Sequence, residues 1–207
     1  MNFLAVDTSG NSMSVLAVKN GETFSTFLPD CAMKHSVLIM PTIEETLKKA
    51  NMVLADCDFF AAVVGAGSFT GIRIGISAIK GFALATGKRT LPITSFDVAA
   101  YNTIDKEKKT LCLVDALHDS YYACGYHRGE ITFAPAYVTE AQVLSLRDEG
   151  YTLCSCNVLP IAEKANVEIV NPVKGLYHAA VALAQANGFG ELNALYVRKS
   201  SAEENAK

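Results

Sequence analysis

FLAVDTSGNSMSVLAVKNGE, residues 3–22, returns as LCLVDALHDSYYACGYHRGE, residues 111–130, without a gap and at a constant offset of 108. Val6, Asp7, Ser12, Gly21 and Glu22 meet Val114, Asp115, Ser120, Gly129 and Glu130. In both copies an apolar run ends at an aspartate, a short loop follows, a second run returns, and a Gly-centred turn opens a third. Short apolar runs bounded by such turns read as strands. A duplicated hairpin unit is the economical explanation. With the helical patterns that follow each copy, it predicts two similar α/β lobes that meet near Lys106 to Lys109.

Working outward, strands are expected at 3–6, 13–18, 23–27, 60–64, 111–114, 121–126 and 131–138. Met40, Ile43, Leu47 and Ala50 recur at helical spacing over 36–51, with Ser36 as the N-cap and Pro41 as a kink about one turn in. A second helix is expected over 72–86, with Ile72, Ile76, Ile79 and Ala83 on one face and Gly87 as its stop. Thr139 and Gln142 form a capping box for a third, which ends at Gly150, and a fourth runs over 175–187 to Gly188. The lobes are placed at 1–105 and 106–189, with 190–199 rejoining the first and 200–207 a flexible polar tail.

Half of the 207 residues are apolar, which is enough for a sizeable core, and 18 basic against 21 acidic residues leave a net charge of −3. Extended disorder and a strongly basic nucleic-acid surface are both excluded by these figures. The short basic clusters Lys48-Lys49, Lys88-Arg89 and Lys106 to Lys109 read as solvated surface, so strong autonomous nucleic-acid binding is not expected. Lys19, Lys34 and Lys80 interrupt the longer apolar runs, and the first run stops at Asp7 with no basic residue before it. A soluble, cytoplasmic protein without membrane attachment is expected. The six cysteines form no C-x-x-C pair and read as reduced core residues, with Cys154 and Cys156 on one sheet face.

Two loops could carry chemistry. Asp7-Thr8-Ser9-Gly10, at the end of a strand, could hold a nucleotide phosphate or a cation, or could be a hydroxyl-braced turn between two strands. Gly65-Ala66-Gly67-Ser68-Phe69-Thr70-Gly71-Ile72-Arg73 resembles an anion cradle at a helix N-terminus, but it has neither the lysine of a P-loop nor a dinucleotide fingerprint. Its other reading is a tight strand-to-helix turn capped by Ser68 or Thr70. The helix beyond carries Gly75, Ser77, Ala78, Gly81 and Ala85, and each glycine weakens it by roughly 1 kcal/mol, so close packing or a partner must explain them.

Gly67 to Gly81 (GSFTGIRIGISAIKG), FLAVDTS near the start, His35 to Pro41 (HSVLIMP), VDA at Val114 to Ala116 and LYVRK near the end together resemble the TsaB (YeaZ) family over nearly the whole chain. The resemblance implies an actin-like, Hsp70-like ATPase fold of two duplicated lobes. It also implies a role in making N6-threonylcarbamoyladenosine at position 37 of tRNA, as a non-catalytic activator of the catalytic paralogue TsaD together with the ATPase TsaE. It further implies a homodimer when the protein is alone and tRNA contact only through the complex.

In that paralogue two histidines four apart, after an I-P-V strand, ligate a metal. Here Leu91 to Thr94 leads into Ser95 and Ala99 at those places, so no metal site is expected. Ala66 replaces a usual proline, Leu117 a usual arginine, and the loop Ala116 to Ser120 has no glycine. No cofactor is therefore required, and ATP or ADP is expected to bind only weakly, at Asp7 to Gly10, or at a shared interface. The partner surface expected from the two helices comprises Ser36, Met40, Ile43, Leu47, Gly67, Ser68, Phe69, Thr70, Gly71, Arg73, Gly75, Ala78, Gly81 and Ala85. The competing readings are a glycoprotease-like or ATP-hydrolysing enzyme of the same fold and a homodimeric nucleotide sensor.

Overall fold

A computed structural model describes residues 1–102 and 107–198. The expected boundary at 105/106 and the segment 200–207 lie outside the described residues. The first sheet is built from β1 (Phe3–Asp7), β2 (Met13–Lys19), β3 (Glu22–Leu28), β4 (Phe59–Val63) and β5 (Arg89–Ile93), in the order β3-β2-β1-β4-β5. The second is built from β6 (Thr110–Asp115), β7 (Ser120–His127), β8 (Glu130–Thr139), β9 (Thr152–Ser155) and β10 (Glu168–Ile169), in the order β10-β9-β6-β7-β8. Reversing the second order makes it the first, strand for strand. In each lobe the first three strands are antiparallel, and the fourth joins the first strand in parallel. The duplication read from the sequence is therefore a duplication of topology. It extends to the hairpin turns: Asn20-Gly21 (φ 52° and 87°) and Arg128-Gly129 (φ 55° and 84°) take matching left-handed pairs, the backbone of a two-residue turn between twisted strands.

The first sheet is covered on both faces, which explains why β1, β2 and β4 read as almost continuous apolar runs. On one face α1 (His35–Lys49) and α2 (Phe69–Thr86) bury Ile39, Ile43, Leu47, Ile72, Ile76 and Ile79 against Leu4, Val6, Val15 and Phe60. On the other, α6 (Pro172–Gln185) lays Leu176, Ala179 and Ala180 on Phe3, Leu16 and Phe59. That packing moves a boundary. The return to the first lobe comes at Asn171, whose side chain accepts from Lys174 N to cap α6, and not at residue 190. Leu192 is buried in the first core, and Leu195 N donates to Val64 O, so the segment after α6 continues in the same lobe. In the second lobe α4 (Glu140–Asp148) and the short α5 (Ala162–Ala165) cover one face, and α3 (Ser95–Ala100) lies over the other, between the lobes.

Helix ends differ from expectation in instructive ways. Ser36 is not an N-cap: a 3-10 turn, Ala32–Lys34, feeds directly into α1, and Ser36 sits exposed within its first turn. The helix is unbroken through Pro41. Met40 does not share the buried face of Ile43 and Leu47; it is 51% exposed. α2 starts three residues earlier than its apolar spacing suggests, because the Ser68 hydroxyl accepts from Gly71 N and caps it there. The capping box at Thr139 and Gln142 is present, and Gly87 ends α2 in the left-handed conformation. Cys31, Cys57, Cys112, Cys124 and Cys154 are buried free thiols, and Cys156 is half-buried. Among the described residues no helix is long and apolar enough to cross a membrane.

Candidate functional site

The aspartate loops follow the C-terminal ends of β1 and β6, the central strands of the two sheets. In the first, Asp7 Oδ1 accepts from both the backbone N–H and the hydroxyl of Ser9, at 2.8 and 2.7 Å. In the second, Asp115 Oδ1 accepts from Leu117 N at 2.8 Å, the same turn in the duplicated position. The Ser9 and Leu117 N–H groups, which a phosphate would need, are thus turned back onto the chain's own carboxylates. The second loop has no glycine, yet Leu117, His118 and Asp119 all hold left-handed φ values of 53° to 65°. Across the cleft, a Cβ on Gly10 would meet Asn157 Nδ2 at 3.4 Å, so the second lobe closes against the first loop.

Loss of solvation pushes the half-buried Asp7 carboxyl up from its ordinary value, while the Ser9 hydrogen bonds and the His35 ring hold it down. A carboxyl raised in the fold contributes stability below its unfolded pKa, and that contribution is lost as pH rises through the folded value. Asp7→Asn keeps an oxygen for Ser9 and removes the charge. It is expected to raise stability at pH 7 and to change it little at pH 3. Urea unfolding at the two pH values measures it, and a variant equally destabilised at both would contradict this account of Asp7.

The glycine-rich stretch does not form an open cradle. Ser68 N donates to Ser9 O at 2.7 Å, and Thr8, fully buried, donates its hydroxyl to Gly71 O at 2.7 Å. A Cβ on Gly67 would overlap the Ser9 carbonyl, one on Gly71 would overlap the Thr8 carbonyl, and one on Gly75 would lie 2.6 Å from Thr8 Oγ1. These three glycines serve the contact between α2 and the Asp7 loop inside the lobe. Gly67, Gly71 and Gly75 are therefore removed from the expected partner surface, as are Ile43 and Leu47, which belong to the first core. Ala78 also packs against that core. Gly81 is different: nothing lies within 4 Å of its added Cβ.

The members of the expected surface that do face outward are Ser36, Met40, Ser68, Phe69, Thr70, Arg73, Gly81 and Ala85. Sequence reasoning missed their strongest neighbours. Met33 is 95% exposed, Leu84 88% and Val37 71%. The spacing of 37 and 40 could have found the exposed side of α1, since it lies off the buried face of Ile39, Ile43 and Leu47. A groove of ≈ 450 Å³, lined by Ser36 of α1 and by Phe69, Thr70, Arg73, Ile74 and Ser77 of α2, lies beside the N-terminal half of α2. Tyr196, from the far end of the described chain, stacks on Phe69 with ring centroids 4.7 Å apart.

Ser95 and Ala99 lie one turn apart on α3 and are both buried. Ser95 donates to Ala66 O at 2.6 Å and contacts Ser9 Oγ at 3.1 Å, so its hydroxyl ties the glycine-rich turn to the Asp7 loop. Asp97 caps α3 through Thr94 and accepts from Tyr126 OH at 3.0 Å, which joins the lobes. Among the described residues no group of three or more His, Cys, Asp or Glu side chains is arranged to hold a metal ion.

Residues 21–185 match the model of a family described as TsaD: tRNA N6-adenosine threonylcarbamoyltransferase. The tRNA threonylcarbamoyladenosine biosynthesis protein TsaB of Escherichia coli (strain K12) is 31% identical over 132 residues, 63% of this chain and 57% of that protein. The chain spans little more than half the length of the curated relatives it matches. Among solved structures, YeaZ from Pseudomonas aeruginosa superposes with a TM-score of 0.74 over 94% of this chain and 99% of its own, at 21% identity. MreB 5 of Spiroplasma citri bound to AMPPNP gives 0.52 over 90% and 96%, at 8% identity. The fold is the actin-like, Hsp70-like α/β fold in two duplicated lobes.

Proposed function

The chain belongs to the TsaD family and, within it, to the TsaB (YeaZ) proteins, and on that footing we propose that it is a partner subunit, without chemistry of its own, of the machinery that makes threonylcarbamoyladenosine in tRNA. The observation that carries the reading is the exposure of Val37 and Met40 on α1, of Met33 on the 3-10 turn before it, and of Phe69 and Leu84 on the adjacent α2. Several exposed apolar side chains gathered on neighbouring elements support a protein contact there. Its occupant is the catalytic paralogue TsaD, with TsaE joining the pair in the cytoplasm. In the paralogue's absence a second copy of this chain takes the same face. Substrate tRNA is reached through the complex, which agrees with the modest and scattered basic charge.

The loops support the same division of labour. Two of the N–H donors a phosphate would need are spent on Asp7 and Asp115, so ATP or ADP binds weakly at most, or only where a partner completes a site. Ser95 and Ala99 offer no imidazole pair for a metal. The hydroxyls of Ser9 and Ser95 are engaged with Asp7, Ala66 O and each other, which argues against an enzyme that would use either of them as its nucleophile. Co-purification with the catalytic paralogue, with and without ATP, tests the proposal. The two chains are expected to elute together in both conditions, with self-association of this chain lost in the mixture. Separate elution in both conditions would overturn it.

A further inference from the structure

Four consecutive residues near the end of the described chain hold four different parts of the molecule. Leu195 N donates to Val64 O at 2.7 Å, just past the C-terminal end of β4 in the first lobe. Tyr196 stacks on Phe69 in the first turn of α2, with ring centroids 4.7 Å apart, and its hydroxyl accepts from Arg73 Nε at 2.8 Å. The Arg73 guanidinium lies 3.6 Å from the centroid of the same Phe69 ring, so the three side chains form one cluster at the exposed corner of α2. Val197 packs against the buried cluster between the lobes, which contains Phe96 and Ala99 of α3 and Cys112, Cys124 and Cys154 of the second sheet. Arg198 lies over the ring of Tyr137, 4.8 Å from its centroid, on the edge strand β8. The chain thus leaves the first lobe, crosses the contact between the lobes and reaches the far edge of the second.

Residues 195–198 belong to no helix or strand, so their position depends on what they touch at each end. Ordering each of them costs roughly 1–2 kcal/mol of backbone entropy, which contacts with both lobes offset. Consecutive Cα atoms are held ~3.8 Å apart, and Leu195 is tied to the end of β4. Tyr196 therefore cannot move several ångströms off α2 without pulling Val197 from its seat between the lobes. The reverse holds as well. A second lobe that shifts away from α3 pulls on Arg198 and Val197, and through them on the corner of α2. A link of this kind is reciprocal, because either end can bias the other only by the same coupling free energy.

We propose that residues 195–198 are a strap that couples the Phe69 and Arg73 corner of α2 to the contact between the lobes, so that loading the corner resets the lobes and moving the lobes resets the corner. The part played by a partner rests on the reading of this face as a docking surface, whereas the coupling stands on contacts within the chain and is tested on the chain alone.

The chain's own cysteines report it. Cys112, Cys124 and Cys154 lie in the cluster against which Val197 packs, whereas Cys31 and Cys57 lie in the first core. A buried thiol is alkylated when the structure around it opens, so its labelling rate measures local opening. Maleimide labelling of the full chain under native conditions, followed cysteine by cysteine by mass spectrometry, is the measurement. Tyr196→Ala, a change made on the α2 side of the strap, is expected to speed labelling of Cys112, Cys124 and Cys154 by about tenfold and to leave Cys31 and Cys57 unchanged. Tyr196→Phe keeps a ring on Phe69 and loses the hydrogen bond to Arg73, and its expected rise is about threefold. From the other end, Tyr137→Ala should speed hydrogen exchange across residues 69–73 by about threefold. Unchanged rates at the three thiols in Tyr196→Ala would mean that the corner is not connected to the lobes. Equal acceleration at all five would mean that the ring supports the fold as a whole. Either result overturns the strap and leaves the docking face standing, and a face that fails to bind the paralogue leaves the strap standing.

Discussion

Gly71→Ala is expected to cost this protein ~3 kcal/mol of stability, against the roughly 1 kcal/mol that the same change gains in an ordinary exposed helix. The reason is the floor beneath α2. The new methyl would overlap the carbonyl oxygen of Thr8, a backbone atom between two buried strands that cannot turn aside as a side chain could. The melting temperature should fall by roughly 6–12 °C for a chain of this length. Gly75→Ala meets the Thr8 hydroxyl at 2.6 Å and should lose less, because that hydroxyl can rotate once its bond to Gly71 O is given up. Gly81→Ala, with open space around its Cβ, should stabilise by about 1 kcal/mol. Three glycines on one helix thus give two losses and one gain. Thermal unfolding of the series decides it, and an alanine at 71 as stable as the parent would mean that α2 does not sit on the Asp7 loop as described.

Gly81→Arg is expected to remove pairing both with a second copy and with the catalytic paralogue, while leaving the monomer folded. The arginine has free space in the isolated chain but stands on the exposed side of α2, within the proposed contact of roughly 800 Å² per partner. A long charged side chain forced into such a contact should weaken it by about a hundredfold or more. Both associations should fail together, because they use the same face. Ala78→Arg, equivalent to it by sequence spacing alone, is the poorer probe: Ala78 packs on the first core, so its loss of binding could follow from loss of fold. Retention of either partner at wild-type strength by folded Gly81→Arg would place that interface elsewhere.

How much of the fold is legible in the sequence depends on the range of the interactions involved. The strands of both copies are legible because each carries its own alternation or apolar run, and the offset of 108 reproduces a shared topology. Local caps such as Thr139 with Gln142 are legible for the same reason. The small residues of α2 stand out in the sequence, but their spacing points as readily to a partner as to the lobe's own interior. What explains Gly71 is Thr8, 63 residues earlier, and no periodicity within a helix reports what lies under it. Tyr196 is 123 residues from Arg73, so the brace on that arginine leaves no local trace. The strand β10, of two residues, is too short to pattern. α6 falls in the wrong lobe on sequence alone because its apolar face fits either sheet, and only the chain's path decides which one receives it.

That path has a consequence for how the protein is made. β6 to β10 and their helices lie within one unbroken run of chain, so the second lobe can assemble as soon as it has left the ribosome. The first lobe, although synthesised first, waits for α6 to close its second face and for Leu192 and Leu195 to complete its core and sheet. Contacts of such long sequence separation form late, and the surface they will cover stays open until then. The nascent chain therefore carries Phe3, Leu16 and Phe59 uncovered for most of its synthesis, a window in which chaperone capture or misassembly would strike the first lobe and spare the second.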